Sequence, residues 1–94
     1  MRHLPSISVE GISAFVYTVE LGSFTAASQA LGLSKSAAAK SVARLEERLG
    51  VQLLLRTTRS ITLTDEGKVF FLKSKEILED IEAAETSMSL RRRE

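Results

Sequence analysis

From Ser8 onward, apolar residues return every three or four positions. Ile12, Phe15, Val16 and Val19 mark one face of an amphipathic helix over 8–21. Gly22 follows where a helix C-terminal glycine belongs, and Ser23 is placed to cap a second, short helix. In that helix Phe24, Ala27, Ala30 and Leu31 share a face, and Gly32 ends it. Leu33 plugs the turn and Ser34 caps a third helix reaching Leu49, whose buried stripe is Ala38, Val42, Leu45 and Leu49. Gly50 closes it. The period then changes to that of strands. Residues 51–55 and 60–63 are short β-prone runs on either side of a polar tip, Arg56-Thr57-Thr58-Arg59. Thr64 is a further N-cap, with Asp65 and Glu66 set favourably against the dipole of a last helix that no proline breaks before Arg92. Such a helix is a rod of roughly 42 Å.

The predicted order is helix, helix, tight turn, helix, two-stranded wing, long helix. The second and third helices, with Gly32 between them, match a helix-turn-helix, in which small residues let two helices cross closely. Ala26, Ala27, Ala30, Ala37, Ala38 and Ala39 supply that smallness. A generic bundle using alanine as filler is the plainer alternative, and the polar side of the third helix speaks against it.

Composition narrows the chemistry. The 94 residues make one domain's worth of chain with no cysteine, so disulfides, thiolate metal sites and cysteine nucleophiles are excluded. The single histidine, His3, disfavours a histidine triad or a multi-histidine metal site. Glu76, Glu79, Asp80, Glu82 and Glu85 have the spacing of a solvated helix surface, so no enzyme activity, metal or cofactor is expected. No apolar run approaches the ~20 residues of a membrane span, and there is no leading signal segment. The expectation is a cytoplasmic, nucleoid-associated protein with no membrane partner.

The net charge of +1 hides an asymmetry. Residues 1–60 carry seven bases against four acids, and residues 61–94 six against eight. Six of the first seven, Lys35, Lys40, Arg44, Arg48, Arg56 and Arg59, fall between 35 and 59, a local basic patch that suits a polyanion. Opposite the buried stripe of the third helix lie Ser36, Lys40, Ala43 and Glu47, flanked by Ala39 and Arg44. The N-terminal half of this face, with Ser34 and Lys35 beside it, is small, hydroxylated and basic, and can sink into a major groove. Arg56 and Arg59 bracket Thr57 and Thr58 as a compact phosphate-binding set at the wing tip.

The last helix has another task. Ile77, Ile81, Ala84 and Met88 step by four, three and four, the a/d seam of a short coiled coil, and Phe70 extends it by one heptad. A second copy of the chain is the economical way to cover this surface. Two functions of different class follow: a dimeric DNA-binding regulator, or a helical dimerisation or adaptor module without a nucleic-acid role.

Three segments carry a resemblance: E-L-G-S-F-T-A-A-S-Q-A-L-G-L-S-K-S-A (20–37), L-E-E-R-L-G-V-Q-L-L (45–54) and R-T-T-R-S-I-T-L-T-D-E-G (56–67). In this order and spacing the chain closely resembles the N-terminal DNA-binding domain of LysR-type transcriptional regulators, over roughly 8–92. The resemblance implies a winged helix-turn-helix over 1–64 and a linker helix over 65–94 that pairs two subunits on an inverted-repeat operator. It places base and phosphate contacts at Lys35, Ser36 and Lys40 on the helix and at Arg56, Thr58 and Arg59 in the wing, with Arg59 nearest the minor groove. It also implies that the chain is the DNA-binding part of a longer regulator, with any effector ligand acting only through a C-terminal domain absent here. Where the family usually has V-S-R-Q, this chain has Ala38-Ala39-Lys40-Ser41, and Leu55 stands where a polar residue is common. Lysine cannot reproduce a bidentate arginine contact, so the family's half-site preference does not transfer.

Overall fold

The computed structural model describes residues 5–57 and 60–92; Thr58 and Arg59 of the wing tip, with His3 and Arg93, lie outside the described residues. Helix α1 spans Val9–Leu21, α2 Phe24–Leu31 and α3 Lys35–Leu49; strands β1 (Leu54–Arg56) and β2 (Ile61–Leu63) follow, and α4 runs Asp65–Arg92. This is a winged helix-turn-helix with a long helix after it.

The helix starts form locally. Ser8, Ser23 and Ser34 each accept a hydrogen bond from the amide three residues on, at 2.9–3.0 Å, as N-cap serines do. Gly32 and Gly50 hold the turns after α2 and α3 at φ 70° and 73°, left-handed backbone that a side chain would strain. The first three helices enclose the core, in which Phe15, Ala14, Ala27, Ala38 and Val42 are fully buried. On α2, Ala30 is exposed and Ser28 takes the buried place, its hydroxyl donating to the Thr25 carbonyl at 2.7 Å. A polar side chain can face inward there because its own helix supplies the acceptor.

The wing begins later than its hydrophobic pattern suggests. Val51 and Gln52 belong to the turn after α3, and Leu54, Leu55 and Arg56 pair antiparallel with Leu63, Thr62 and Ile61. Arg56 is therefore a strand residue rather than part of the tip. The Glu46 carboxylate on α3 accepts from the amides of Leu53 and Leu54 at 2.8 and 3.1 Å, which fixes where the strand starts. Thr64 closes the other end. Its hydroxyl accepts from the Gly67 amide at 2.9 Å, and its own amide donates to the Leu53 carbonyl at 3.0 Å.

The first half of α4 lies on the core. Phe70 and Phe71 set their rings 5.8 and 6.2 Å from that of Phe15, and Leu78 also packs there. Lys75 pairs with Glu20 of α1 at 3.0 Å. Beyond these contacts α4 extends outward, and Ala84 and Met88 are exposed.

Candidate nucleic-acid interface

Three buried side chains orient α3: Ala38, Val42 and Leu45 are at most 2% exposed, which turns the opposite face outward. A fourth tie is polar. Ser41 is buried and donates to the Glu10 carboxylate of α1 at 2.9 Å. With this rotation fixed, Ser36, Lys40, Arg44 and Arg48 are all exposed, four residues apart, along one ridge of the helix. Lys35 is exposed beside the cap Ser34, whereas Ala39 is half buried against the core.

A groove of about 220 Å³ runs beside this ridge, lined by Glu10, Ser34, Ser36, Lys40, Ser41 and Arg44. A second, of about 230 Å³, separates the wing from the helix-turn-helix; Ser23, Thr25, Lys35, Thr57 and Ser60 line it. The first is rich in hydroxyl and cationic groups, a set that suits phosphate oxygens and base edges better than an apolar ligand, whereas the second adds the apolar Phe24 and Ile61 to its polar residues. At the tip of the wing the Thr57 amide donates to the Ser60 carbonyl at 2.9 Å and the Ser60 amide to the Thr57 hydroxyl at 3.0 Å.

The structure thus brings Ser34, Lys35, Ser36, Lys40 and Arg44 together on one face and puts Arg56 on the wing beside it. Thr58 and Arg59 lie outside the described residues. Three features escaped sequence reasoning. Glu10 places a carboxylate among the bases, Glu46 anchors the strand, and the Arg56 guanidinium lies over the Phe24 ring, 5.0 Å from its centroid. The last two join residues brought together only by the turn after α3 or by the whole fold, so no local pattern signals them.

On α4, Ile81 is half buried and Ile77 is 37% exposed, but Phe70 is turned onto the core of its own chain. Counting a/d positions cannot see that the first heptad is already covered by α1. Among the described residues no three His, Cys, Asp or Glu side chains gather as a metal site, and no helix is long and apolar enough to cross a membrane.

Comparison with known proteins gives a consistent picture. The family model for the bacterial regulatory helix-turn-helix protein, lysR family, matches residues 9–68. The HTH-type transcriptional regulator CrgA of Neisseria meningitidis is 48% identical over 79 residues, covering 84% of this chain and 26% of that protein. PtxR of Pseudomonas aeruginosa is 44% identical over 84 residues, covering 89% and 27%. The chain thus spans about a quarter of the length of these relatives. Among solved structures, the BenM_DBD/catB site 1 DNA complex superimposes with a TM-score of 0.82 at 32% identity, covering 90% of this chain and 93% of that one. The CbnR_DBD–DNA complex gives a TM-score of 0.82 at 28% identity, with 90% and 98% covered.

Proposed function

Because the chain belongs to the lysR family of bacterial regulatory helix-turn-helix proteins, we propose that it binds double-stranded DNA sequence-specifically and regulates transcription. The observation that carries this is the exposed ridge of Ser36, Lys40 and Arg44 on a helix whose rotation is fixed by the core. Small and basic side chains at its start allow close approach to a major groove, with Ser36 and Lys40 reaching base edges. Lys35 and Arg44 meet the flanking phosphates, and the wing lies along the adjacent backbone. Superposition on relatives solved with DNA supports this mode of docking.

Two subunits pair through α4, by Ile77, Ile81, Ala84 and Met88, and read the two halves of an inverted repeat. No catalytic group is needed. The protein acts in the cytoplasm, at the nucleoid, and an effector would act through further domains such as its longer relatives have room for.

An electrophoretic shift on random-sequence duplex at low salt, followed by selection of bound sequences from a random pool, tests the proposal. A shift and a selected inverted repeat are expected. No shift at any salt would leave only a dimerisation or adaptor module.

A further inference from the structure

We propose that Arg56 is a positioning residue: its guanidinium, laid on the Phe24 ring, braces the wing against the start of α2 and sets the wing's height relative to α3. The inference rests on the DNA-binding reading above for its consequence, but its geometry stands without DNA.

A ribbon of two three-residue strands is not stable alone and must be held by the body it leans on. At the base this is done by Leu53 and Leu54, both buried. Toward the tip the partners are Arg56 and Ile61, which face each other across the ribbon. Ile61 is half buried against the core. Arg56 is exposed, but its guanidinium carbon stands 5.0 Å from the centroid of Phe24, the first residue of α2. The Phe24 ring is itself 7% exposed, so it is a fixed platform.

A planar, weakly hydrated cation on an aromatic face is held by the ring quadrupole and by stacking, and arginine does this better than lysine. The groove between wing and helices is lined by Phe24 and Ile61 together with Thr25, Lys35, Thr57 and Ser60. Its width follows from where the brace holds the wing. Major-groove contacts from α3 and backbone contacts from the wing are then made at a fixed separation. A phosphate anchor at Arg56 would contribute charge; a brace contributes geometry. The two roles predict different variants to matter.

The experiment compares the 94-residue wild type with Arg56→Ala, Arg56→Lys, Phe24→Leu and the double variant Arg56→Ala/Phe24→Leu. In the free protein, NMR should show the Arg56 δ-methylene protons shifted upfield by the Phe24 ring and restored in Phe24→Leu. On the selected operator each single variant, Arg56→Lys included, should bind about two- to fivefold more weakly, the worth of an exposed cation–π contact. The double variant should be no weaker than the singles, and the salt slope should stay near that of the wild type. Absence of the ring-current shift in the wild type overturns the brace. So does an Arg56→Lys variant that binds like wild type while Arg56→Ala flattens the slope by about one per subunit, since that is a phosphate contact. Should Phe24→Leu fail to fold, Arg56→Lys still decides. A wild type that shows the ring-current shift but binds no duplex would sink the DNA-binding reading and leave the brace standing.

Discussion

Lys40 stands midway along the exposed ridge of α3, with the buried Ser41 behind it tied to Glu10. Phosphate contacts position a protein, whereas base contacts carry sequence information. On the proposed docking, with the start of α3 in the major groove, Lys40 belongs to the second kind. Lys40→Ala should therefore cost about 1–3 kcal/mol on the operator and relax preference at one position in each half-site. Lys40→Arg, which restores a guanidinium, should shift preference toward guanine. Repeating the selection on both variants checks this; equal losses on operator and random duplex, with the selected sequence unchanged, would make Lys40 a phosphate anchor instead. Gly67 is a residue of the opposite sort, buried and strict in packing. A Cβ built there would run into the Leu53 carbonyl oxygen, which is backbone and also accepts the Thr64 amide. Gly67→Ala should lower stability to urea by about 1–3 kcal/mol, the usual cost of forcing extra atoms into a packed site. A neutral result would mean that the first turn of α4 is loosely held against Leu53.

Helix α4 serves two masters along its length, and its first half serves the core. Phe70, Phe71 and Leu78 pack against the core, both rings on Phe15 of α1, while Val69, Leu72 and Ile77 of the same stretch stay exposed and, with the part beyond, leave an apolar face for a second chain. Ile81 sits at that division, half buried with Ala84 and Met88 exposed beyond it. Ile81→Asp puts a charge in the a/d seam and should give a monomer of unchanged helicity, because the core ends short of it. Sedimentation that still finds a dimer would refute the seam. The same element shows where sequence stops being legible. Caps were readable because the cap residue and the amide it binds are three residues apart, as at Ser23, Ser34 and Thr64, whereas Ser8 read as part of α1 rather than its cap. The helices and the outward ridge of α3 followed from one periodic stripe. The start of β1 did not, since a carboxylate seven residues back, on Glu46, decides which amides are free to pair. Nor did the fate of Phe70, whose seven-residue spacing from Ile77 fits a coiled coil equally well whether its partner is another chain or α1. Arg56 was legible as a cation and not as a stacked one, because Phe24 is 32 residues away.

For the whole molecule the question is whether a chain of net charge +1 can bind a polyanion strongly through charge. It can if the charges are segregated. Lys35, Lys40, Arg44 and Arg48 are exposed on α3, while Glu76, Glu79, Asp80, Glu82 and Glu85 lie on α4, much of which extends away from the helix-turn-helix in a molecule 51 Å long. At physiological ionic strength the screening length is about 8 Å, well short of that dimension, so the acids of the distal helix scarcely oppose DNA at α3. Glu10, Glu46 and Glu47 stand nearer: Glu10 lines the groove beside the ridge and keeps its charge while accepting from Ser41, and Glu46 is turned to the amides of Leu53 and Leu54. If each subunit neutralises about three phosphates, a dimer displaces counterions from about six, and log K against log salt should fall with a slope of about −5. Titrations of the selected operator between low and physiological salt measure this directly. A slope shallower than about −2 would mean that the ridge of α3 is not the binding surface. A monomeric Ile81→Asp variant should show about half the wild-type slope, because slope counts neutralised phosphates and not affinity. The two measurements together separate a dimer that docks both ridges from one that docks a single subunit, in which case wild type and monomer would share one slope.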